Sequence, residues 1–142
     1  MDFLKKLTAD KSYGFYVTIS ISVFSVITGI IYNVVYGGSR DYNLFANICL
    51  YLCLIPLVLA FIKPTAKISH YILYGIILLA FLGYVQGVYL YVSEVFVGID
   101  EHEFSPRFIL CTILFAITLI GGTANCFLRQ EKAKEVAKNE QE

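Results

Sequence analysis

The usual apparatus of catalysis is missing from this chain. Its 142 residues contain no Ser/His/Asp set, HExxH pair, phosphate-binding glycine loop or carboxylates placed for hydrolysis. Cys49 and Cys53 are spaced i, i+4, so the C-x-x-C of a thiol-redox pair is also lacking. That excludes the quinone-linked disulfide enzymes, which are likewise small helical bundles. No basic segment or nucleic-acid motif occurs, which excludes nucleic acid as a partner. Tryptophan is absent, and the aromatics are 11 Tyr and 11 Phe. Only 15% of residues are charged against 58% hydrophobic, and the mean hydropathy is +0.69. That leaves too few polar side chains to coat a water-soluble domain of this size.

What is present is four long apolar stretches, at 13–36, 44–62, 71–92 and 108–128. Each holds about 20 residues, enough at about 1.5 Å per residue to cross a hydrocarbon core of about 30 Å. The expected fold is an all-α membrane protein of four antiparallel transmembrane helices. One domain covers 1–142, with a charged tail at 129–142 and no cofactor. No span core holds an ionisable group. Proton- and sodium-coupled carriers place their coupling site there, so that class is excluded. Small multidrug transporters share the four-span size but need an embedded Glu early in the chain, and the first stretch has no acid.

Charge placement sets the expected orientation. Lys5, Lys6 and Lys11 precede the first stretch, Lys63 and Lys67 follow the second, and Arg129, Lys132, Lys134 and Lys138 follow the fourth. Only Arg40 and Arg107 fall in the other two loops. The positive-inside rule then puts both termini and the 63–70 loop in the cytoplasm, with 37–43 and 93–107 outside. The first stretch is too long for a signal-peptide core and ends in Tyr36-Gly37-Gly38 without a small-x-small cleavage site, so it is expected to be retained. No lipid-anchor motif is read at either end. Residues 1–12 form at most one amphipathic turn.

Polar residues inside the stretches fall on faces. Thr18, Ser22, Ser25, Gly29 and Asn33 lie on one side of the first helix. Cys49, Cys53, Pro56 and Ala60 line the second, where Pro56 is expected to kink it. The third carries Gly83 and Gly87 in a GxxxG pattern, with Gln86 between them. An unpaired amide in hydrocarbon is costly, so Gln86 is expected to face the bundle, towards Asn33, Ser25 or Thr118. Cys111, Thr118, Gly122 and Asn125 share a face of the fourth helix, which Ser105-Pro106 should cap. These faces read first as helix–helix seams and second as a polar path. Tyr13, Phe15, Tyr16, Tyr36, Tyr42, Tyr71, Tyr74, Tyr89, Tyr91, Phe104 and Phe108 read as an interfacial aromatic belt.

The 93–107 loop is the most distinctive. It mixes apolar residues with Glu94, Asp100, Glu101 and Glu103, beside His102. Carboxylates with an imidazole suggest a divalent ion, but four adjacent residues cannot converge on one ion unaided, and His70 is expected on the other side. A solvated acidic contact surface is the reading adopted, with no metal. Cys49 and Cys111 fall at similar depth and could meet in a disulfide, although free packed thiols are the default.

The run Val97-Gly98-Ile99-Asp100, followed by Phe104-Ser105-Pro106-Arg107-Phe108-Ile109-Leu110-Cys111-Thr112, resembles small uncharacterised four-span membrane proteins of anaerobic Firmicutes. The Tyr36-Gly37-Gly38-Ser39-Arg40 turn fits the same resemblance. It implies a bacterial cytoplasmic membrane and no established activity. The leading functional expectation is a non-enzymatic accessory or assembly protein of the plasma membrane. Its partners would be the bilayer and another membrane protein or a second copy. The alternative is a homo-oligomeric transporter or channel subunit, with a polar path along spans one, three and four and protomers joined at Gly83–Gly87. A membrane enzyme using Cys49, Cys53 and Cys111 is the third class.

Overall fold

Apolar runs of this length close their backbone hydrogen bonds within helices, because lipid offers no substitute partner. The computed structural model describes residues 13–62, 65–99 and 104–128. It contains α1 (Tyr13–Tyr36), α2 (Leu44–Leu52), α3 (Leu54–Phe61), α4 (Ala66–Val97) and α5 (Pro106–Cys126). No strand occurs among the described residues. Helices α2 and α3 together make one apolar span, Leu44–Phe61, so four helices are long and apolar enough to cross a membrane.

Local chemistry sets the boundaries. Gly38, at φ +84°, lets the chain leave α1, and the Ser39 N–H and hydroxyl both bond the Tyr36 carbonyl at 2.8 Å. The Asn43 side chain then caps α2 by accepting from the N–H groups of Phe45 and Ala46. The second span breaks at Cys53, whose N–H turns to the Leu50 carbonyl at 3.4 Å. Pro56 lacks the N–H that the Leu52 carbonyl would accept, and its ring crowds that carbonyl, so the discontinuity falls just before it. Ser105 caps α5, with Pro106 at its first position, as the sequence implies.

Helix α4 runs 32 residues, past the stretch that hydropathy marks at 71–92. It ends at Gly98 (φ +72°), where the Gly98 N–H bonds Val95 and the Ile99 N–H bonds Glu94. That is a Schellman stop requiring a left-handed residue. At about 48 Å, α4 is the longest element and overshoots its neighbours.

The bundle buries a polar seam and turns apolar side chains outward. Thr18, Ser22, Ser25 and Asn125 are completely buried, while Val34 and Ile120 are 80% and 68% exposed. In water that arrangement would be unfavourable; in lipid it is the expected one. α1 packs on both halves of the second span and on α5, and α4 packs on the same two elements; α1 also touches α4.

One core cluster joins Tyr32, Tyr36, Ala46, Cys49, Leu50, Ala80, Tyr84, Val88, Cys111 and Phe115. Its centre is aromatic: Tyr84 stacks on Phe115 at 4.4 Å, and Tyr32 meets both edge-on at 5.8 and 5.4 Å. A smaller cluster joins Cys53, Leu73 and Ile77. Two residues assigned to the aromatic belt belong to the interior instead. Tyr36 is in the first cluster, and Phe15 is buried edge-on against Phe61 at 5.3 Å. Both lie on the inward face of α1, where helix packing outbids the interface. Residues 1–12, Lys63, Pro64, the Asp100–Glu103 acids with His102, and the tail at 129–142 lie outside the described residues.

Candidate functional site

The buried polar face of α1 meets α5 directly. Asn125 donates from Nδ2 to the Thr18 hydroxyl at 2.9 Å. The hydroxyls of Thr28 and Thr118 lie 3.5 Å apart. Thr118 also bonds its own helix at Leu114, and Ser25 bonds back to Ile21, both at 2.8 Å. Thr18, Ser22, Ser25, Gly29 and Thr118 thus form one closed seam. Gly29 sits where a Cβ would come within 3.2 Å of Leu50 and 3.3 Å of Asn47 Oδ1, so the second span also presses on it. Gly122 gives way to Ile77 of α4 in the same manner, at 3.1 Å.

Asn33 does not continue this face: it is exposed. At about 100° per residue it has drifted about 60° off the line through Thr18, and Tyr32 and Tyr36 take the inward positions instead.

A further expectation for α4 is corrected. Gln86 does not face the bundle; it is exposed. A Cβ on the adjacent Gly87 would lie 2.8 Å from the Asp41 carbonyl, so Gln86 is level with the 37–43 turn, where its amide need not seek a partner in hydrocarbon. Gly83 and Gly87 pack against the second span and the turn of the same chain, as the seam reading expects. Gly83 is pressed by Phe45 and Ala46 at 3.1–3.2 Å, and Gly87 by Asp41 and Asn43, all of the same chain.

Cys49, Cys53, Cys111 and Cys126 are free thiols, the first three buried. Cys49 and Cys111 share the aromatic core cluster. No group of three metal-ligating side chains occurs among the described residues.

The structure adds a site at the end of the bundle where the 37–43 turn meets the start of α5. Tyr32 anchors the turn: its phenol oxygen accepts from the Asn43 N–H at 2.8 Å, and its O–H reaches the Asp41 carbonyl at 3.5 Å. Across from it, the Tyr91 oxygen accepts from the Ser105 N–H at 2.7 Å and so fixes the approach to α5. Between these anchors lies a cavity of about 490 Å³ lined by Val35, Tyr36, Ser39, Asp41, Tyr91, Ser105, Pro106 and Arg107. Arg40 of the turn pairs with Glu94 of α4, clamping the two walls. That places Glu94 beside the cavity, whereas the rest of the proposed acidic contact surface lies outside the described residues.

Loss of water around Asp41 pushes its carboxyl above the ordinary carboxylate range; Arg40 pulls it down and Glu94 pushes it up, each by less. The folded protein therefore holds this proton more tightly than the unfolded chain. The charged carboxylate lowers stability above its raised pKa, and the penalty disappears as pH falls below the ordinary value. Asp41→Asn should accordingly raise the melting temperature in lipid-free detergent at pH 7 and leave it unchanged near pH 3. A fall at pH 7 would contradict this assignment.

Asp41, Tyr91, Ser105 and Arg107 were not singled out as a site by sequence reasoning. The available signal was charge: Arg40 and Arg107 are the only cations outside the predicted cytoplasmic segments. Compared with known protein families, curated proteins and solved structures, the chain matches none.

Proposed function

We propose that this four-span membrane protein is a non-enzymatic accessory or assembly component of a bacterial plasma membrane, with antiparallel spans and both termini cytoplasmic. The closed seam carries the reading. A conducting path along α1 and α5 needs hydrated side chains, whereas Ser22 is fully buried and Thr18, Ser25 and Thr118 are spent on Asn125, Thr28 and backbone. The Gly83–Gly87 pair is used within the chain, which speaks against its joining protomers around a pore. The orientation rests on the nine lysines and arginines that flank one side, and the antiparallel course is supported by the Arg40–Glu94 pair joining the two loops expected outside. The protruding end of α4 supplies the contact surface: Phe96, Val97 and Ile99 are each more than 70% exposed next to Glu94.

Ser22 distinguishes a seam from a path. Its hydroxyl is buried without a hydrogen-bond partner. In a seam such a group is a burden, so Ser22→Ala should be neutral or stabilise by up to about 1 kcal/mol. In a path it would serve a passing solute, and its removal would impair activity. The partner itself is tested by photo-crosslinking from position 96 in native membranes. Capture of a second membrane protein is expected. Recovery of the isolated monomer alone, or solute flux through vesicles containing only this protein, would overturn the proposal.

A further inference from the structure

The cavity between the turn and α5 holds two opposite charges that the fold keeps apart. Asp41 and Arg107 both line it, and neither makes an ion pair among the described residues. Nearby, Arg40 forms its ion pair with Glu94 and acts on Asp41 only through space. The Tyr91 oxygen, having accepted from Ser105, retains a proton to donate. The Ser39 hydroxyl is spent on the Tyr36 carbonyl, and the Ser105 hydroxyl oxygen caps α5. The groups left for a ligand are one carboxylate, one guanidinium and the hydroxyl protons of Tyr91, Tyr36 and Ser105. Val35, Pro106 and the Tyr36 ring supply apolar wall. The volume of about 490 Å³ lies within the range of small-ligand sites.

This combination selects by exclusion. A simple anion drawn to Arg107 would meet Asp41, and a simple cation drawn to Asp41 would meet Arg107. A molecule carrying both charges satisfies both residues and brings a cation against the carboxylate that lines the cavity.

We propose that the cavity binds a zwitterion, with its ammonium at Asp41 and its phosphate or carboxylate at Arg107 and the Tyr91 hydroxyl. Two sources carry this chemistry: the headgroup of an ethanolamine phospholipid at the membrane surface, and a free amino acid or phosphoethanolamine from the aqueous phase. The site holds whichever side of the membrane the turn faces. It does not depend on the accessory role, so the cross-linking and flux experiments can fail without touching it.

The test uses the full chain in detergent, read by native mass spectrometry and titration calorimetry. The lipid probes are phosphatidylethanolamine and phosphatidylglycerol; the soluble probes are O-phosphoethanolamine, glycine and glycerol 3-phosphate. Probes bearing an ammonium should bind about tenfold or more tightly than their counterparts without one, the worth of one charge-assisted hydrogen bond. Retention of phosphatidylethanolamine alone assigns the headgroup; binding of the soluble zwitterions assigns the aqueous source. Asp41→Asn and Arg107→Gln should each weaken binding by a similar factor. Equal binding of phosphatidylglycerol and phosphatidylethanolamine, no binding by any probe, or full binding by Asp41→Asn would overturn the proposal. If either variant fails to fold, the probe series on the unaltered chain decides alone.

Discussion

Replacing Tyr32 with alanine is expected to cost about 3–5 kcal/mol, the range for deleting a large buried aromatic side chain. Tyr32 has no exposed surface and touches the rings of Tyr36, Tyr42, Tyr84 and Phe115. Those contacts join α1 to the 37–43 turn, α4 and α5 at one level. Lipid contributes no hydrophobic drive between helices, so the close packing lost with the ring is what held them. Tyr32→Phe keeps the packing but removes the acceptor for the Asn43 N–H, and should cost about 0.5–1.5 kcal/mol. Unfolding in mixed micelles measures both. A loss below about 1 kcal/mol for the alanine variant would show that the aromatic cluster does not hold the bundle.

Gly87→Leu is the second large effect, with an expected loss of at least about 1–3 kcal/mol from overpacking. Even a Cβ at this position would lie 2.8 Å from the Asp41 carbonyl and 3.0 Å from Asn43 Cβ. The first obstacle is backbone, which cannot step aside as a flexible side chain would. Displacing it disturbs the turn, the Asn43 cap and the wall of the cavity together. Gly75 provides the contrast, because nothing lies within 4 Å of a Cβ there. Gly75→Ala should be stabilising by about 0.5–1 kcal/mol, the helical advantage of alanine. Equal effects at the two glycines would refute the close approach of α4 to the turn. A change in oligomeric state on Gly87→Leu, with monomer stability unaltered, would restore the protomer-contact reading.

The spans were legible because hydropathy alone determines them: each apolar run is long enough to cross and too poor in polar groups to lie in water. The α5 start at Ser105-Pro106 was legible for a different reason, since its capping chemistry is local. The end of α4 was not, because Ser93 and Glu94 read as the edge of a span. Here the helix continues in spite of polarity, and Gly98 stops it. Gln86 was misjudged separately, because only the fold shows that its neighbour Gly87 meets the 37–43 turn. The seam was readable from Thr18 to Gly29 by spacing; it failed at Asn33, where the period of the helix had drifted past the face. The cavity was hidden because its charges come from two loops, and only the fold brings Asp41 beside the start of α5.

Site-directed labelling with a membrane-impermeant maleimide tests the four crossings most directly. In a Cys126→Ser background the remaining native thiols are buried. Ser39→Cys, in the exposed turn, should label in intact cells, and Lys134→Cys, in the tail, only after permeabilisation. Protection of position 39 in intact cells, or labelling of position 134 without permeabilisation, would contradict four spans with both ends inside.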